Sequence, residues 1–265
     1  MILSIVTINR NNKAGLEKTL TSIYTKKNIA FEHIIIDGNS QDGSVELIEE
    51  YAAKYPIHWV TESDSGIFNA MNKGLNLVKG EYVIFMNSGD AFCEGILTSE
   101  LLESLGKYDL TYGDIMVSIG SKINPTKQTE SLDFLYMIGK TICHQSVFMK
   151  SELCKKYRFT EDNSFSLMGD WIQLFEILKN EKLVINRVNQ KICIYDGEGQ
   201  SEKYADTRHF QRRKYLEMHY SHWELESLIE LSRLRNRKYF SMVLKSLDSY
   251  KYSFLLNRIN RWIRL

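Results

Sequence analysis

The sequence predicts an α/β fold in which helices cover a central, mostly parallel sheet. Short apolar segments typical of buried strands alternate with segments of helical periodicity, and each strand in the first third of the chain ends in polar residues. Strands that alternate with helices pair in parallel through right-handed crossovers. With 265 residues, 43% of them hydrophobic, the chain can bury a large core in one domain, or in one domain with an appendage.

Strands and helices alternate regularly before residue 90. The first strand is β-branched and apolar, and Leu16, Leu20 and Ile23 follow it at helical spacing. The second strand is an apolar run that ends at Asp37. The predicted strands cover residues 2–8, 33–36, 58–61 and 81–86, and the predicted helices lie around residues 16–23, 44–55 and 66–78.

The order of elements changes after residue 90. The pattern predicts a helix over residues 96–105, a strand over 109–116, an irregular stretch over 123–134, a strand over 142–149, a helix that reaches residue 178, and a last strand over 184–195 before a loop over 196–201. From Lys203 onward fourteen basic residues face six acidic ones, an excess of eight positive charges. We therefore predict an α/β domain over residues 1–205 and a basic, mainly helical extension over residues 206–265.

Composition excludes several classes of protein. The formal charge of +1 gives no reason to expect a nucleic-acid partner. The four cysteines are scattered without CxxC spacing, which indicates free thiols in a reducing cytosol. No stretch approaches the roughly 20 apolar residues of a membrane-spanning helix. We expect a cytoplasmic protein.

The end of the chain, residues 250–265, mixes aromatic and basic side chains in a way that suits one amphipathic helix. Such a helix fits an anionic membrane surface, which would make the protein peripheral on the cytoplasmic face of the membrane. The same pattern is expected of a helix that docks on the protein's own core with its cations in water. The sequence leaves both interpretations open.

Polar side chains stand where the first four strands end. Thr7 and Asn9 belong to the first strand, Asp37 ends the second, Asp64 follows the third, and the run YVIFMNSGD leads the fourth directly to Asp90. Because the carboxyl ends of parallel strands meet at one edge, these side chains should converge there, where like charges repel unless a cation or hydrogen-bond donors compensate. Carboxylates with nearby oxygens suit Mg²⁺ or Mn²⁺, and such an ion could hold a diphosphate. The alternative is that these residues only form turns.

Five segments carry a resemblance to a known family, and their order is more specific than any one of them. They are SIVTINRN, HIIIDGNSQDGS, ESDSGIFNAMNKGLNLVKGEYVIFMNSGD, CHQSVFMK and GDW, which together span roughly residues 2–171. The chain resembles the inverting glycosyltransferases of family 2, which have the GT-A fold, and particularly the bacterial members that build surface polysaccharides. The extension after residue 206 lies outside the resemblance.

The resemblance implies that the strand ends contact a nucleotide-sugar donor. Thr7 and Asp37 match positions that hold the uracil and ribose of a UDP-sugar, and Asp64 matches a further acidic position that contacts the base. Residues 87–90 take the place of the family's DxD motif, but Asp90 alone is charged there, which weakens the expectation of tight metal binding. The implied donor-binding residues are Thr7, Asn9, Asp37, Asp64, Lys73, Asn87 and Ser88, with a solvated helix position as the alternative for Lys73.

The resemblance also implies a catalytic base, Asp170. An acceptor hydroxyl is a weak nucleophile, and a carboxylate within hydrogen-bond reach can take its proton as the bond to the anomeric carbon forms. The alternative for Asp170 is an N-cap of a helix that begins at Trp171. His144 would donate to the diphosphate or join Asp90 as a metal ligand, and is otherwise a core histidine. Trp171 would stack on an acceptor sugar, with core packing as its alternative.

Three functions follow from these patterns. The first is transfer of a sugar from a nucleotide-sugar, such as a UDP-sugar, to a hydroxyl of a glycan acceptor on a membrane lipid, with Mn²⁺ or Mg²⁺ as cofactor. The second is binding of a nucleotide-sugar or glycan without catalysis, which the depleted DxD position keeps open. The third is nucleotidyl transfer, which needs a glycine-rich phosphate loop that NRNNKAG matches poorly. Dinucleotide-dependent oxidoreduction is disfavoured because no GxGxxG follows the first strand.

Overall fold

The structure is a computed structural model that describes residues 3–25, 29–199 and 204–235. Its strands are β1 (Leu3–Asn9), β2 (Glu32–Asp37), β3 (Ile57–Thr61), β4 (Tyr82–Phe85), β5 (Ala91–Phe92), β6 (Leu110–Ile119), β7 (Lys122–Thr126), β8 (Val147–Lys150) and β9 (Ile185–Asp196). Its helices are α1 (Lys13–Tyr24), α2 (Ser44–Ala52), α3 (Ile67–Leu77), α4 (Ser99–Leu105), α5 (Phe134–Gly139), α6 (Ser151–Lys156), α7 (Gly169–Asn180), α8 (Ala205–His219) and α9 (His222–Leu234).

One mixed sheet joins all nine strands, in the order β3-β2-β1-β4-β8-β6-β9-β5 with β7 paired to β6. Pairing is parallel from β3 through β2 and β1 to β4, as the alternating pattern predicts. Beyond β4 the sheet becomes mixed, because β8 is antiparallel to both β4 and β6 while β6 and β9 run parallel. The chain therefore reverses its strand order beside β1, which places a crevice at the carboxyl ends of β1 and β4.

Side chains of β1 divide the core into two layers. In a strand successive side chains point to opposite faces of the sheet. Leu3 and Ile5 accordingly pack with β4 residues and α4 on one face, whereas Val6 and Ile8 pack on the other with α3 and α7. All seven residues of β1 are buried, including the polar Ser4, Thr7 and Asn9, so the strand does not alternate between apolar and polar residues in the sequence.

Two segments differ from the sequence-based prediction. The predicted strand over residues 142–149 begins only at Val147, because His144–Ser146 forms a short 3-10 turn. Its local apolar pattern did not reveal that these polar side chains bond to distant residues. The stretch predicted to be irregular contains β7, in which every residue is exposed, so no alternation of buried and exposed positions marks it as a strand.

The first part of the extension packs on the α/β domain. Leu216 of α8 and Leu225, Leu228 and Leu231 of α9 are buried in the same core cluster as Phe175 of α7. A reciprocal capping box at the start of α9 holds the turn between the two helices. Among the residues that the structure describes, no helix has the length and apolarity needed to cross a membrane. The predicted amphipathic helix over residues 250–265 lies outside the described residues.

His33 is a buried histidine that ties β2 to β1 and α1. Its Nε2 lies 3.0 Å from the hydroxyl of Thr7, and its Nδ1 lies 2.9 Å from the hydroxyl of Tyr24. Burial lowers the pKa of His33 from 6.5 to about 3, so the folded protein keeps the imidazole neutral.

Acid should therefore destabilise the fold through His33. Below pH 6.5 the unfolded chain binds a proton at this residue that the folded chain does not bind. Between pH 6.5 and 4.5 we expect this difference to remove about 2 to 3 kcal/mol of unfolding free energy. Urea unfolding at both pH values should show this loss in the wild type and not in His33→Gln.

His58→Gln provides the matched control, because His58 is an exposed histidine on the neighbouring strand β3. This variant should keep the wild-type pH dependence. An unchanged pH dependence in His33→Gln would contradict the prediction.

Candidate active site

The carboxyl ends of the first three strands are linked through Asp37, which is fully buried. Its carboxylate accepts hydrogen bonds from Asn9 Nδ2 at 2.8 Å, from the hydroxyl and N–H of Ser40 at 2.6 and 2.9 Å, and from the hydroxyl of Thr61 at 2.9 Å. These four bonds compensate the desolvation of the charge and join β1, β2 and β3. Asp37 therefore stabilises the arrangement of these three strand ends from within the core.

The burial of this network corrects part of the predicted donor site. Thr7 is fully buried and bonded to His33, so its side chain has no free surface for a uracil ring. Asp37 likewise has every oxygen engaged within the protein. Asn9 is also buried, but its Oδ1 lacks a hydrogen-bond partner among the described residues. Sequence reasoning did not anticipate the burial of Thr7 and Asp37, because a strand-end position does not reveal which way its side chain points.

Asp64 and Arg10 form the outer layer of the same edge. Their side chains approach to 3.9 Å, and Arg10 is 64% exposed whereas Asp64 is 6% exposed. Asp64 also accepts a bond from the N–H of Gly66 at 3.1 Å. A Cβ at Gly38 would lie 2.5 Å from Asp64 Oδ2, so glycine is required for this approach. Arg10 was missed as a site residue because its pairing with Asp64 has no local sequence signal.

Lys73 lies near the same edge, and its ammonium group contacts other residues of the protein. Its Nζ contacts Glu62 Oε1 at 2.7 Å and the carbonyl of Ser63 at 2.8 Å. Both partners belong to the loop between β3 and α3. The structure thus uses Lys73 to hold this loop, and a direct phosphate contact would have to replace these bonds.

The turn after β4 is fixed against α1. The hydroxyl of Thr19 donates to the carbonyl of Asp90 at 2.6 Å and accepts from the N–H of Gly89 at 3.1 Å. Gly89 has φ +105°, a conformation that favours glycine. Asn12 Nδ2 donates to the carbonyl of Ser88 at 3.1 Å. Ser88 therefore stands in a rigid turn at the crevice between β1 and β4.

Asp90 is buried beneath this turn. Its Oδ2 accepts from Gln145 Nε2 at 2.7 Å and its Oδ1 from the N–H of Asp196 at 2.8 Å. Burial raises the pKa of Asp90 to about 6, although both hydrogen bonds oppose the shift. Gln145 and Asp196 were missed by sequence reasoning, because they lie 55 and 106 residues further along the chain.

This arrangement does not fit the predicted pair of metal ligands. Both oxygens of Asp90 are used by the protein, and both ring nitrogens of His144 have protein partners. Within the described ranges no group of three His, Cys, Asp or Glu side chains is placed to hold a metal ion. A divalent cation bound by the protein alone needs several oxygen ligands. Asn87 Oδ1, which is buried without a described partner, and the carboxylate of Asp196, whose Oδ2 would lie 3.3 Å from a Cβ at Gly89, are further oxygens near this turn.

His144 joins the turn after β4 to Asp170. Its Nδ1 lies 3.1 Å from Asp170 Oδ2, and its Nε2 lies 3.3 Å from Asn87 Nδ2. With the amide as donor to Nε2, the proton of the neutral imidazole lies on Nδ1 and is donated to the carboxylate. The chain Asn87, His144, Asp170 therefore spans from the end of β4 to the start of α7.

Asp170 is held as a carboxylate. Burial opposes its ionisation, but the hydrogen bonds from His144 and from the backbone N–H groups of Trp171 and Asp170 outweigh burial, so the pKa of Asp170 lies below its usual value. Its side chain is still 26% exposed. The helix is capped at Met168 and begins at Gly169, so Asp170 lies inside the first turn and is not the N-cap.

Asp170 and His144 open into a cleft of about 540 Å³. The cleft also contains Arg208 of α8, a cation that sequence reasoning did not place because the extension lies outside the family resemblance. Trp171 points the other way: it is 1% exposed, and its Nε1 donates to backbone carbonyls of the α5 region at 2.9 and 3.1 Å. The prediction that Trp171 stacks on an acceptor sugar is wrong, because its ring packs in the core.

Comparison with known proteins identifies the family and the fold of the chain. The family model described as "Glycosyl transferase family 2" matches residues 4–163, which is more than half of the chain. A protein of Mycobacterium bovis named PGL/p-HBAD biosynthesis glycosyltransferase is 24% identical over 201 residues, covering 74% of this chain and 77% of the relative.

Solved glycosyltransferase structures share the fold. Staphylococcus aureus TarS 1–349 in complex with UDP superposes with a TM-score of 0.65 at 15% identity, covering 96% of this chain and 73% of that one. The mannosyltransferase PcManGT from Pyrobaculum calidifontis, in complex with GDP-Man and Mn²⁺, has a TM-score of 0.61 at 12% identity over 98% of this chain and 84% of its own. The predicted α/β class with the GT-A fold is confirmed, and the chain belongs to glycosyl transferase family 2.

Proposed function

We propose that the protein is an inverting glycosyltransferase that moves a sugar from a UDP-sugar to a hydroxyl of a lipid-linked glycan acceptor in bacterial surface polysaccharide synthesis. The observation that carries the proposal is the contact between His144 and Asp170 inside an open cleft. Asn87 links that pair to the carboxyl ends of β1 to β4, referred to below as the nucleotide edge. A carboxylate kept charged beside the edge where a donor would bind is what proton abstraction during sugar transfer requires.

The donor would lie along the edge formed by β1 to β4. Asp64 and Arg10 offer a carboxylate and a guanidinium at its surface, and Asn9 and Asn87 each keep a buried oxygen without a described partner. TarS is solved with UDP and with UDP-GlcNAc, which supports a uridine nucleotide as the donor for this chain.

The chemistry is a single displacement. The acceptor hydroxyl oxygen forms a bond to the anomeric carbon while its proton passes to Asp170. The bond from that carbon to the diphosphate oxygen breaks, and its electron pair leaves with UDP, so the anomeric configuration inverts. His144 keeps the carboxylate oriented through its Nδ1 contact of 3.1 Å. The lowered pKa of Asp170 ensures that the base is ionised at neutral pH.

Binding of a nucleotide-sugar without catalysis is the competing function, because Asp90 stands without a second carboxylate in its turn. The two functions differ in one measurement. A transferase releases UDP from a donor panel, whereas a binding protein retains UDP affinity and releases none.

Asp170→Asn should abolish turnover and preserve donor binding. The amide has nearly the same shape but cannot accept the proton, so we expect the rate of UDP release to fall by about 10² to 10⁴. The dissociation constant for UDP, measured by calorimetry, should stay within about twofold because Asp170 does not line the nucleotide edge.

Glu152→Gln is the matched control, since it removes an exposed carboxylate on α6 that does not line the cleft. It should retain wild-type turnover. Wild-type turnover in Asp170→Asn as well would mean that another group is the base.

Metal binding should depend on the nucleotide. Because Asp90 and His144 are fully engaged, we expect Mn²⁺ titrated into nucleotide-free protein to show no saturation below about 1 mM. The same titration with UDP present shows whether the diphosphate supplies the missing ligands. Micromolar Mn²⁺ affinity without nucleotide would show that the protein rearranges to build a site of its own.

A further inference from the structure

The cleft beside Asp170 has one polar end and one apolar wall. Its polar end contains His144, Asp170 and Arg208. The wall is formed by alternate residues of β6, which share one face of the strand, and by one residue of β9. These residues, referred to below as the apolar wall, are Ile115, Val117, Ile119 and Tyr195.

The apolar wall is a built surface with no charged group in it. Tyr195 stands opposite Val117 in the parallel ladder between β9 and β6. A Cβ at Gly197 would lie 2.8 Å from Ile119 and 2.9 Å from Val117, so only glycine lets the end of β9 close against these side chains. Ile119 nevertheless remains 54% exposed. The described part of the chain thus leaves apolar surface open toward the cleft.

The position of the apolar wall indicates which substrate would contact it. The residues of the nucleotide edge, such as Asp64 and Ser88, do not line this cleft, so the donor nucleotide would lie elsewhere. An acceptor must bring its hydroxyl to Asp170, and the atoms next to that hydroxyl would then lie against the wall. Apart from the hydroxyl groups of Thr126, Thr141 and Tyr195, this part of the lining offers a sugar little to hydrogen-bond.

We propose that the apolar wall binds an alkyl or aryl group carried by the acceptor beside the attacking hydroxyl. This inference rests on the proposed function and adds the chemical class of the acceptor. Each methylene group fully buried against the wall should tighten binding about fourfold. Acceptor preference should therefore follow the apolar group more than the identity of the acceptor sugar.

The probe pair is hexyl and methyl β-D-glucopyranoside, which differ only in the length of the alkyl group. Binding to the UDP-loaded protein is measured by saturation-transfer NMR titration. Wild-type protein should bind the hexyl glucoside at least about tenfold more tightly than the methyl glucoside, as expected for two buried methylenes. Ile119→Ser and the nearly isosteric Val117→Thr should each reduce this ratio severalfold without changing UDP affinity.

Ile123→Ser is the matched control. Ile123 lies on the same hairpin, is 50% exposed, and pairs with Ser118, so it lies on the face away from the wall. It should leave the hexyl to methyl ratio unchanged. Equal binding of the two glucosides by the wild type, or equal losses in Ile123→Ser and Ile119→Ser, would overturn the inference.

A turnover assay distinguishes a failure of this inference from a failure of the proposed glycosyltransferase function. Rates of UDP release are measured with hexyl and methyl glycosides of several sugars as acceptors. Turnover without a preference for the hexyl glycosides would keep the proposed function and overturn the apolar acceptor. A hexyl preference in binding with no UDP release from any donor would overturn the proposed function and leave only the apolar site.

Discussion

The site depends on the hydrogen bonds of two adjacent side chains in the turn before β8. Gln145 donates to the buried carboxylate of Asp90, and His144 contacts both Asn87 and Asp170. A buried carboxylate that loses a donor is costly, so Gln145 is held in place and its neighbour is held with it. The 3-10 geometry of this turn thereby sets the separation between the turn after β4 and Asp170.

The edge of the sheet is organised in two layers with different tasks. Asp37 and its partners form an interior network in which most polar atoms are satisfied, and such networks hold their members in one arrangement. Arg10 lies outside it and is 64% exposed, whereas its partner Asp64 is 6% exposed. The strand ends therefore divide into residues of the buried network and an outer pair that extends from it to the surface.

Sequence reasoning succeeded where local patterns and structure coincide. The four parallel strands and their helices were predicted because short apolar segments alternate with segments of helical spacing, and the GDW segment directed attention to Asp170, which the structure places beside His144. It failed where contacts are distant in sequence. Burial of Thr7 and Trp171, and the contributions of Gln145 and Arg208, depend on packing between elements that no local pattern records.

The packing of α8 has an evolutionary consequence. Arg208 of this helix lines the cleft, and Leu216, further along the same helix, is buried in the core. Recombination that exchanged this helix for that of a relative would replace a cation of the cleft and a portion of the hydrophobic interior in one event. Inheritance of this segment therefore couples foldability to the lining of the cleft, unlike that of a tethered accessory module.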